Sequence, residues 1–194
     1  MLFNSINYLV FFLLVWLAYR SLGLRQQNHL LLVASYVFYG SWDWRFLSLI
    51  LISTVVDFYC GAAMHRADDP AVRKRLLLLS LTVNLGLLGL FKYFGFFVDS
   101  FVAFAAVFGW HVDTITMRLI LPVGISFYTF QTLSYTIDIY RRQLEPEPRF
   151  LNFALFVAFF PQLVAGPIER ARRLLPQIRT PRRLTTDDLA AGLW

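Results

Sequence analysis

Long apolar runs separated by short basic segments make up most of this chain. Runs of this kind predict membrane-spanning helices, because about 20 apolar residues in a helix cross the hydrocarbon core of a bilayer. The runs predict spans at residues 6–22, 27–42, 46–63, 76–95 and 119–140. The second run is the shortest, and we expect Trp42 and Trp44 to anchor its end at the membrane interface.

A further apolar segment, residues 150–167, is too short and too interrupted to cross as a regular helix. Pro161 follows its first apolar stretch, and Gly166 and Pro167 interrupt the segment again. Proline removes a helical hydrogen bond, and irregular backbone at membrane depth is tolerated only where protein or a cavity surrounds it. We therefore predict a re-entrant broken helix that enters the membrane and returns to the same face.

The basic residues predict the orientation of the chain. If residues 150–167 return to the same face, all Lys and Arg residues except Arg45, Lys92 and Arg118 fall on one side. The apolar stretch after residue 76 is therefore interpreted as one span ending near Gly95, followed by an interfacial segment. Because cytoplasmic loops collect Lys and Arg, this arrangement predicts an N-terminus outside the cytoplasm.

The end of the sequence predicts a cytoplasmic Arg-rich segment followed by the start of another helix. The Arg-rich segment is residues 168–185, and residues 186–194 have the capping pattern of a helix that the sequence cuts short. We therefore expect this chain to be a fragment, the N-terminal portion of a larger bundle.

Composition supports a membrane protein. The chain is 58% hydrophobic and only 15% charged, with a mean hydropathy of +0.57, which is more apolar surface than a soluble core of this size buries. The net charge of +6 follows the predicted topology, so nucleic acid is not expected as a partner. The prediction is an all-α integral membrane protein, a polytopic helical bundle with a re-entrant broken helix.

One face of the fifth predicted span carries polar residues. Phe127, Gln131, Ser134 and Asp138 are separated by four, three and four positions, which places them on one side of a helix. Polar groups facing lipid cost several kcal/mol each, roughly, so this face contacts protein or water. It is a candidate wall of a substrate or acyl-chain cavity, and the alternative is hydrogen bonding between helices.

Two further places carry candidate chemistry. The broken segment frees backbone carbonyls, and these, together with Pro161, Gln162, Gly166 and Pro167, either line a ligand cavity or pair with neighbouring helices. Asp57 lies inside the third predicted span, where an ionisable group is a functional candidate unless it is a hydrogen-bonded packing carboxylate.

Several other classes of site are not indicated. Cys60 is the only cysteine, and His29, His65 and His111 lack ligand spacing, so no metal site and no bound cofactor are predicted. The glycine and serine in 124–128 lack the second glycine of a hydrolase nucleophile elbow. The arginines of residues 141–183 are interpreted as topology determinants that contact lipid headgroups, with a phosphate-rich acyl carrier as another partner.

Four stretches together resemble a known family. They are MLFNS at residues 1–5, WDWRFL at 42–47, LPVGISFYTFQ at 121–131 and FFPQLVAGP at 159–167. This combination resembles the membrane-bound O-acyltransferase family, most closely its alginate and polysaccharide O-acetylase branch. The resemblance covers essentially the whole chain but only the N-terminal part of the family.

The resemblance implies a bacterial inner-membrane enzyme that moves an acyl group from a cytoplasmic donor, acetyl-CoA or similar, to an exported polysaccharide such as alginate. It also implies periplasmic partners that complete the O-acetylation. The characteristic histidine of the family is expected beyond Trp194, so no catalytic residue is assigned here. This length alone is expected to be inactive as a transferase.

Two other functions remain open from the residues alone. A transporter or channel half would use the broken helix as a solute or ion site. A non-catalytic membrane scaffold would merely insert and bind partner subunits.

Overall fold

Helices account for all the regular secondary structure in the part of the chain that the structure, a computed structural model, describes: residues 5–110, 122, 124–163 and 168–182. The helices are α1 (Ile6–Arg20), α2 (Leu24–Asp43), α3 (Leu47–Arg66), α4 (Pro70–Val107), α5 (Ile125–Tyr140), α6 (Phe150–Ala158), α7 (Phe160–Leu163) and α8 (Ala171–Arg179). A short 3₁₀ turn, Trp44–Phe46, joins α2 to α3. The prediction of an all-α fold is confirmed for these residues.

Polar residues fix where two of the apolar helices begin. The Ser5 side chain accepts a hydrogen bond of 3.2 Å from the backbone N–H of Tyr8 at the start of α1. Asp69 accepts one of 2.8 Å from the N–H of Ala71, and Pro70 occupies the first turn of α4, where its missing N–H costs nothing. Such caps satisfy amide groups that have no partner inside the helix.

The fourth predicted span and the segment after it form one helix. We predicted that the span ends near Gly95 and that an interfacial segment follows, and α4 runs through both, over 38 residues from Pro70 to Val107. A single glycine costs only about 1 kcal/mol in a helix, and no proline interrupts this stretch. Lys92 and Asp99 remain exposed, so neither forces the helix to end.

The outer surface of the bundle is apolar. Helix α1 buries no residue, although its sequence is almost entirely hydrophobic, and the second half of α4 exposes large apolar side chains. On these two helices the exposed apolar residues include Ile6, Leu9, Leu13, Leu14, Phe96, Phe97, Phe101 and Phe104. Two continuous helical stretches, Leu24–Arg66 and Pro70–Val107, are long and apolar enough to cross a membrane. A surface of this kind is characteristic of a protein that lies in lipid.

The interior lies between α2, α3, α5, α6 and α8. Every residue of α6 from Asn152 to Ala158 is buried, so this short helix forms the centre of the bundle. Helices α3 and α5 approach closely at Gly61, where an added Cβ would lie 3.0 Å from Ile139 Cδ1 and 3.1 Å from Tyr135 Cε1. This glycine therefore sets the distance between the two helices.

Candidate functional site

A buried polar cluster fills the junction of α3, α4 and α5. Asn84 Nδ2 donates to both carboxylate oxygens of Asp57, at 3.0 and 2.9 Å, and Ser80 Oγ donates to Asp57 Oδ1 at 2.6 Å. Asn84 Oδ1 accepts from Ser53 Oγ at 2.5 Å. We call this the Asp57 cluster, and its members are Ser53, Asp57, Ser80, Asn84, Thr132 and Thr136.

The carboxylate of Asp57 is held by neutral groups alone among the described residues. It is fully buried, and the donors that contact it are a hydroxyl and an amide. The sequence identified Asp57 but missed its partners on the other two helices. A usable signal was present, because Ser80 and Asn84 are four residues apart within an apolar run and share one helix face.

The predicted polar face of α5 is divided among different partners. Gln131 Nε2 donates to the carbonyl of Phe156 at 2.8 Å, while Ser134 Oγ donates to the carbonyl of Gln131 in its own helix. Asp138 Oδ2 accepts from Arg172 Nε at 3.1 Å. Phe127 lines a separate cavity of about 350 Å³ near the start of α5. The described residues therefore do not bring these four side chains to one cavity.

The break between α6 and α7 lies at Phe159, whose ψ of 105° ends the helical backbone. The predicted break at Pro161 is therefore found two residues earlier. Pro161 cannot continue α6, because it has no N–H to donate to that helix, but it is tolerated in the first turn of α7. The N–H of Phe160 instead donates to Ser35 Oγ at 3.2 Å. The predicted candidates Gly166 and Pro167 lie outside the described residues.

Four further buried polar side chains lie on three neighbouring helices. They are Tyr39, Tyr128, Gln131 and Gln162, each at least nine-tenths buried, and we call them the α2–α5–α7 polar group after the helices that carry them. The hydroxyl groups of Tyr39 and Tyr128 face each other from α2 and α5, where each is a hydrogen-bonding neighbour of the other. Gln131 Oε1 and Gln162 Nε2 have no hydrogen-bond partner among the described residues. A buried polar atom left unpaired costs about 1–3 kcal/mol, so these two amide atoms are suited to a polar ligand or ordered water.

A third network joins the helices at one end of the bundle. The buried Glu147 carboxylate accepts from Arg179 Nε at 2.5 Å and from Asn152 Nδ2 at 3.1 Å. The N–H of Glu147 donates to Tyr135 Oη at 3.0 Å, and Asn28 Nδ2 donates to Asn152 Oδ1 at 3.2 Å. The network thus connects α2, α5, α6 and α8 through one carboxylate. The sequence did not single out Glu147, because Glu145 beside it has the same local pattern.

Arg182 extends this network beyond α8. Its guanidinium donates to Asn28 Oδ1, and its cation lies over the ring of Tyr19. Partial burial lowers the pKa of this guanidinium from its ordinary value. The Arg-rich segment is therefore packed onto α2 rather than extended into solvent.

The basic segments gather at the same end of the bundle. Arg172 Nη2 donates to Gln143 Oε1 at 2.5 Å, which joins the segment after residue 167 to the loop before residue 150. Arg73 donates to the carbonyl of Tyr140, so the start of α4 also lies at this end. Both flanks of residues 150–167 are thus on one side of the bundle.

Two cavities flank Glu147 at this end. One, of about 780 Å³, lies between the starts of α2 and α6 and the end of α8. The other, of about 530 Å³, lies beside the C-terminal end of α3, and its lining includes His65 and Arg66. Glu147, Pro148 and Arg179 separate the two cavities.

The two histidines that the structure describes lie in different cavities. His29 lines the larger cavity and His65 the smaller one, while His111 lies outside the described residues. Across residues 5–110, 122, 124–163 and 168–182, no three His, Cys, Asp or Glu side chains are placed to hold a metal ion.

Comparison with known proteins shows extensive sequence similarity to bacterial O-acetylases. Over 99% of the present chain, the sequence is 41% identical to the probable alginate O-acetylase of Pseudomonas aeruginosa and to that of Azotobacter vinelandii. Over 100% of the present chain, it is 32% identical to the peptidoglycan O-acetyltransferase of Helicobacter pylori. These matches span 37%, 38% and 42% of the respective relatives. The predicted resemblance to the alginate O-acetylase branch is confirmed. No protein-family model and no solved structure matches the chain.

Proposed function

We propose, from the premise that this chain is a homologue of bacterial alginate O-acetylases, that it forms part of a membrane O-acetyltransferase. The observation that carries this proposal is 41% identity over 99% of the chain. The enzyme takes an acetyl group from a cytoplasmic donor such as acetyl-CoA and passes it toward a hydroxyl group of an exported polysaccharide. Its location is the bacterial inner membrane, and its partners are periplasmic proteins that complete acetylation.

The gathering of the basic segments supports a topology with a periplasmic N-terminus, five spans and a re-entrant α6–α7 segment. Because Arg172 contacts Gln143, residues on both sides of the α6–α7 segment lie at one end of the bundle. Lys and Arg collect in cytoplasmic loops, so this end faces the cytoplasm.

Site-directed labelling tests this topology. The native Cys60 is buried, so it gives little background with membrane-impermeant thiol reagents. Arg149→Cys and Arg172→Cys should both be labelled from the cytoplasmic side alone, while the exposed Trp110→Cys should be labelled from the periplasm. Labelling of Arg149→Cys and Arg172→Cys from opposite sides would show that residues 150–167 cross the membrane.

Within this topology, the α2–α5–α7 polar group offers two unpaired amide atoms in the buried interior, Gln131 Oε1 and Gln162 Nε2. Gln131 also donates to the carbonyl of Phe156, so its side chain lies beside the apolar α6. Such a set suits a neutral ester or amide rather than a charge, because an unpaired ion at this depth is far costlier. We assign this group to the wall of the acyl path, with Gln131 and Gln162 as donors or acceptors. The transfer step itself is assigned to no residue of this chain.

Measurement of bound acetate tests the activity. Cells that produce the protein are compared with cells in which residues 125–163 are deleted, and alkali-labile acetate is measured separately in exported polysaccharide and in peptidoglycan. We expect acetate to fall to background in the polysaccharide and to return when the intact gene is restored. Loss in peptidoglycan instead would reassign the acceptor, and unchanged acetate in both fractions would refute the proposed function.

A further inference from the structure

The larger cavity at the basic end of the bundle has an excess of positive charge. Its lining includes Arg25, Arg149 and Arg179 but only one acidic side chain, Glu147. Glu147 is already paired with Arg179. Among the described residues, Arg25 and Arg149 take part in no ion pair, so their charge is available to a ligand.

Backbone groups add to this positive character. The first turns of α2 and α6 both line the cavity, through Leu24 and Arg25 in one helix and Phe150 and Leu151 in the other. The side chain of Arg149 does not cap the amide groups inside α6, although Glu147 Oε1 accepts from the N–H of Arg149 itself. Helix N-termini carry partial positive charge and free N–H donors, which bind anions. Two helix starts and two guanidinium groups without an ion-pair partner thus line the same cavity.

The remaining wall of the cavity is apolar. Leu24, Phe150, Leu151 and Ile178 contribute it, and Phe150 is the first residue of α6. The volume of about 780 Å³ is large enough for more than a small inorganic ion. The cavity therefore combines an anion-binding part with a surface for hydrocarbon or an aromatic ring.

We propose that this cavity is a binding site for a phosphate ester, held by Arg25, Arg149 and the starts of α2 and α6. Planar guanidinium groups bind phosphate through paired hydrogen bonds, and phosphate is abundant in the headgroups at the edge of a membrane. An anionic lipid headgroup and a soluble phosphorylated molecule both offer this chemistry. The proposal does not depend on acetyl transfer, because binding is measurable without an acyl group.

Binding to the purified protein in neutral detergent tests the site. Native mass spectrometry measures the dissociation constants of phosphatidylglycerol and phosphatidylcholine, with inorganic phosphate and coenzyme A as soluble competitors. One of these probes, phosphatidylglycerol or coenzyme A, should bind the unmodified protein most tightly. In the double variant Arg25→Gln/Arg149→Gln, we expect the dissociation constant of that probe to rise about tenfold or more. The matched control is Lys74→Gln/Arg75→Gln, which removes the same charge from the same end of the bundle but outside the cavity. It should change binding by less than about twofold.

The competitors identify the source of the phosphate. Displacement of phosphatidylglycerol by coenzyme A assigns the site to a soluble ligand, whereas retention of the lipid assigns it to the membrane. Equal losses in both double variants would overturn the proposal, because the attraction would then be a general effect of surface charge. Undetectable binding of every phosphate ester to the unmodified protein would overturn it as well. Both arginines are exposed, and Arg25→Lys/Arg149→Lys, which keeps the charge, should retain part of the affinity.

Discussion

Asn84→Leu is expected to lower the free energy of unfolding by about 3–5 kcal/mol, because it leaves a buried carboxylate without its amide donor. Asn84 contacts both oxygens of Asp57 and accepts from Ser53, and all three residues are buried. Thermal unfolding followed by size-exclusion chromatography in mild detergent measures the loss. Leu85→Ala, at the exposed neighbouring position, should change stability by no more than about 0.5 kcal/mol.

Exchanging the two hydrogen-bonding groups gives a sharper test. Asp57→Asn alone places one amide NH₂ against another, whereas Asp57→Asn/Asn84→Asp restores a donor facing a carboxylate. The double variant should therefore be more stable than Asp57→Asn alone, although the carbonyl of Ser80 loses the donor it now has. If the exchange brings no recovery, specific pairing is not what stabilises the junction of α3, α4 and α5.

Glu147→Ala is expected to release α8 from the loop before α6, with a loss of about 2–4 kcal/mol. The substitution leaves Asn152 Nδ2 and the N–H of Arg149 without the carboxylate that now accepts from both. Arg179 is partly exposed and can be hydrated, which keeps the cost below that of a fully buried pair. Hydrogen exchange should become faster in Ala171–Arg179, the residues of α8.

The neighbouring acid provides a matched control for this prediction. Glu145 lies two residues earlier in the same proline-rich loop and is exposed. Glu145→Ala should leave exchange in α8 unchanged and stability within about 0.5 kcal/mol. Equal effects of the two substitutions would show that loss of negative charge, rather than the buried contacts of Glu147, loosens α8.

The helix boundaries were predictable from the sequence where polar residues flank an apolar run. Helices α1, α2 and α3 begin and end close to the predicted runs, because Arg20, the Trp44–Phe46 turn and Arg66 mark real boundaries. The predicted end of the fourth span near Gly95 does not coincide with a helix end, since a helix without proline continues through one glycine at small cost. Pro161 marked the broken helix to within two residues, because a proline cannot continue α6 but is tolerated in the first turn of α7.

The partners within the site were much harder to predict. The sequence shows that Asp57 needs donors in an apolar span, but which helices supply them depends on how α3, α4 and α5 pack. Glu145 and Glu147 are alike in sequence, and only the folded loop buries one of them. Tyr39 and Tyr128 gave no usable signal, because tyrosines in aromatic-rich spans also serve as interfacial anchors.

The length of α4 makes the protein sensitive to the thickness of its membrane. Its apolar part from Leu76 to Val107 extends about 48 Å, whereas the hydrocarbon core of a typical bilayer is about 30 Å thick. A helix that is longer than the hydrocarbon core is accommodated by tilting of the helix, by local thickening of the bilayer, or by both. Ser80 and Asn84 of α4 are hydrogen-bonded to side chains of α3 and α5, so these two helices tilt together with α4. Thicker and thinner lipids will therefore set Asp57 at different depths in the same fold.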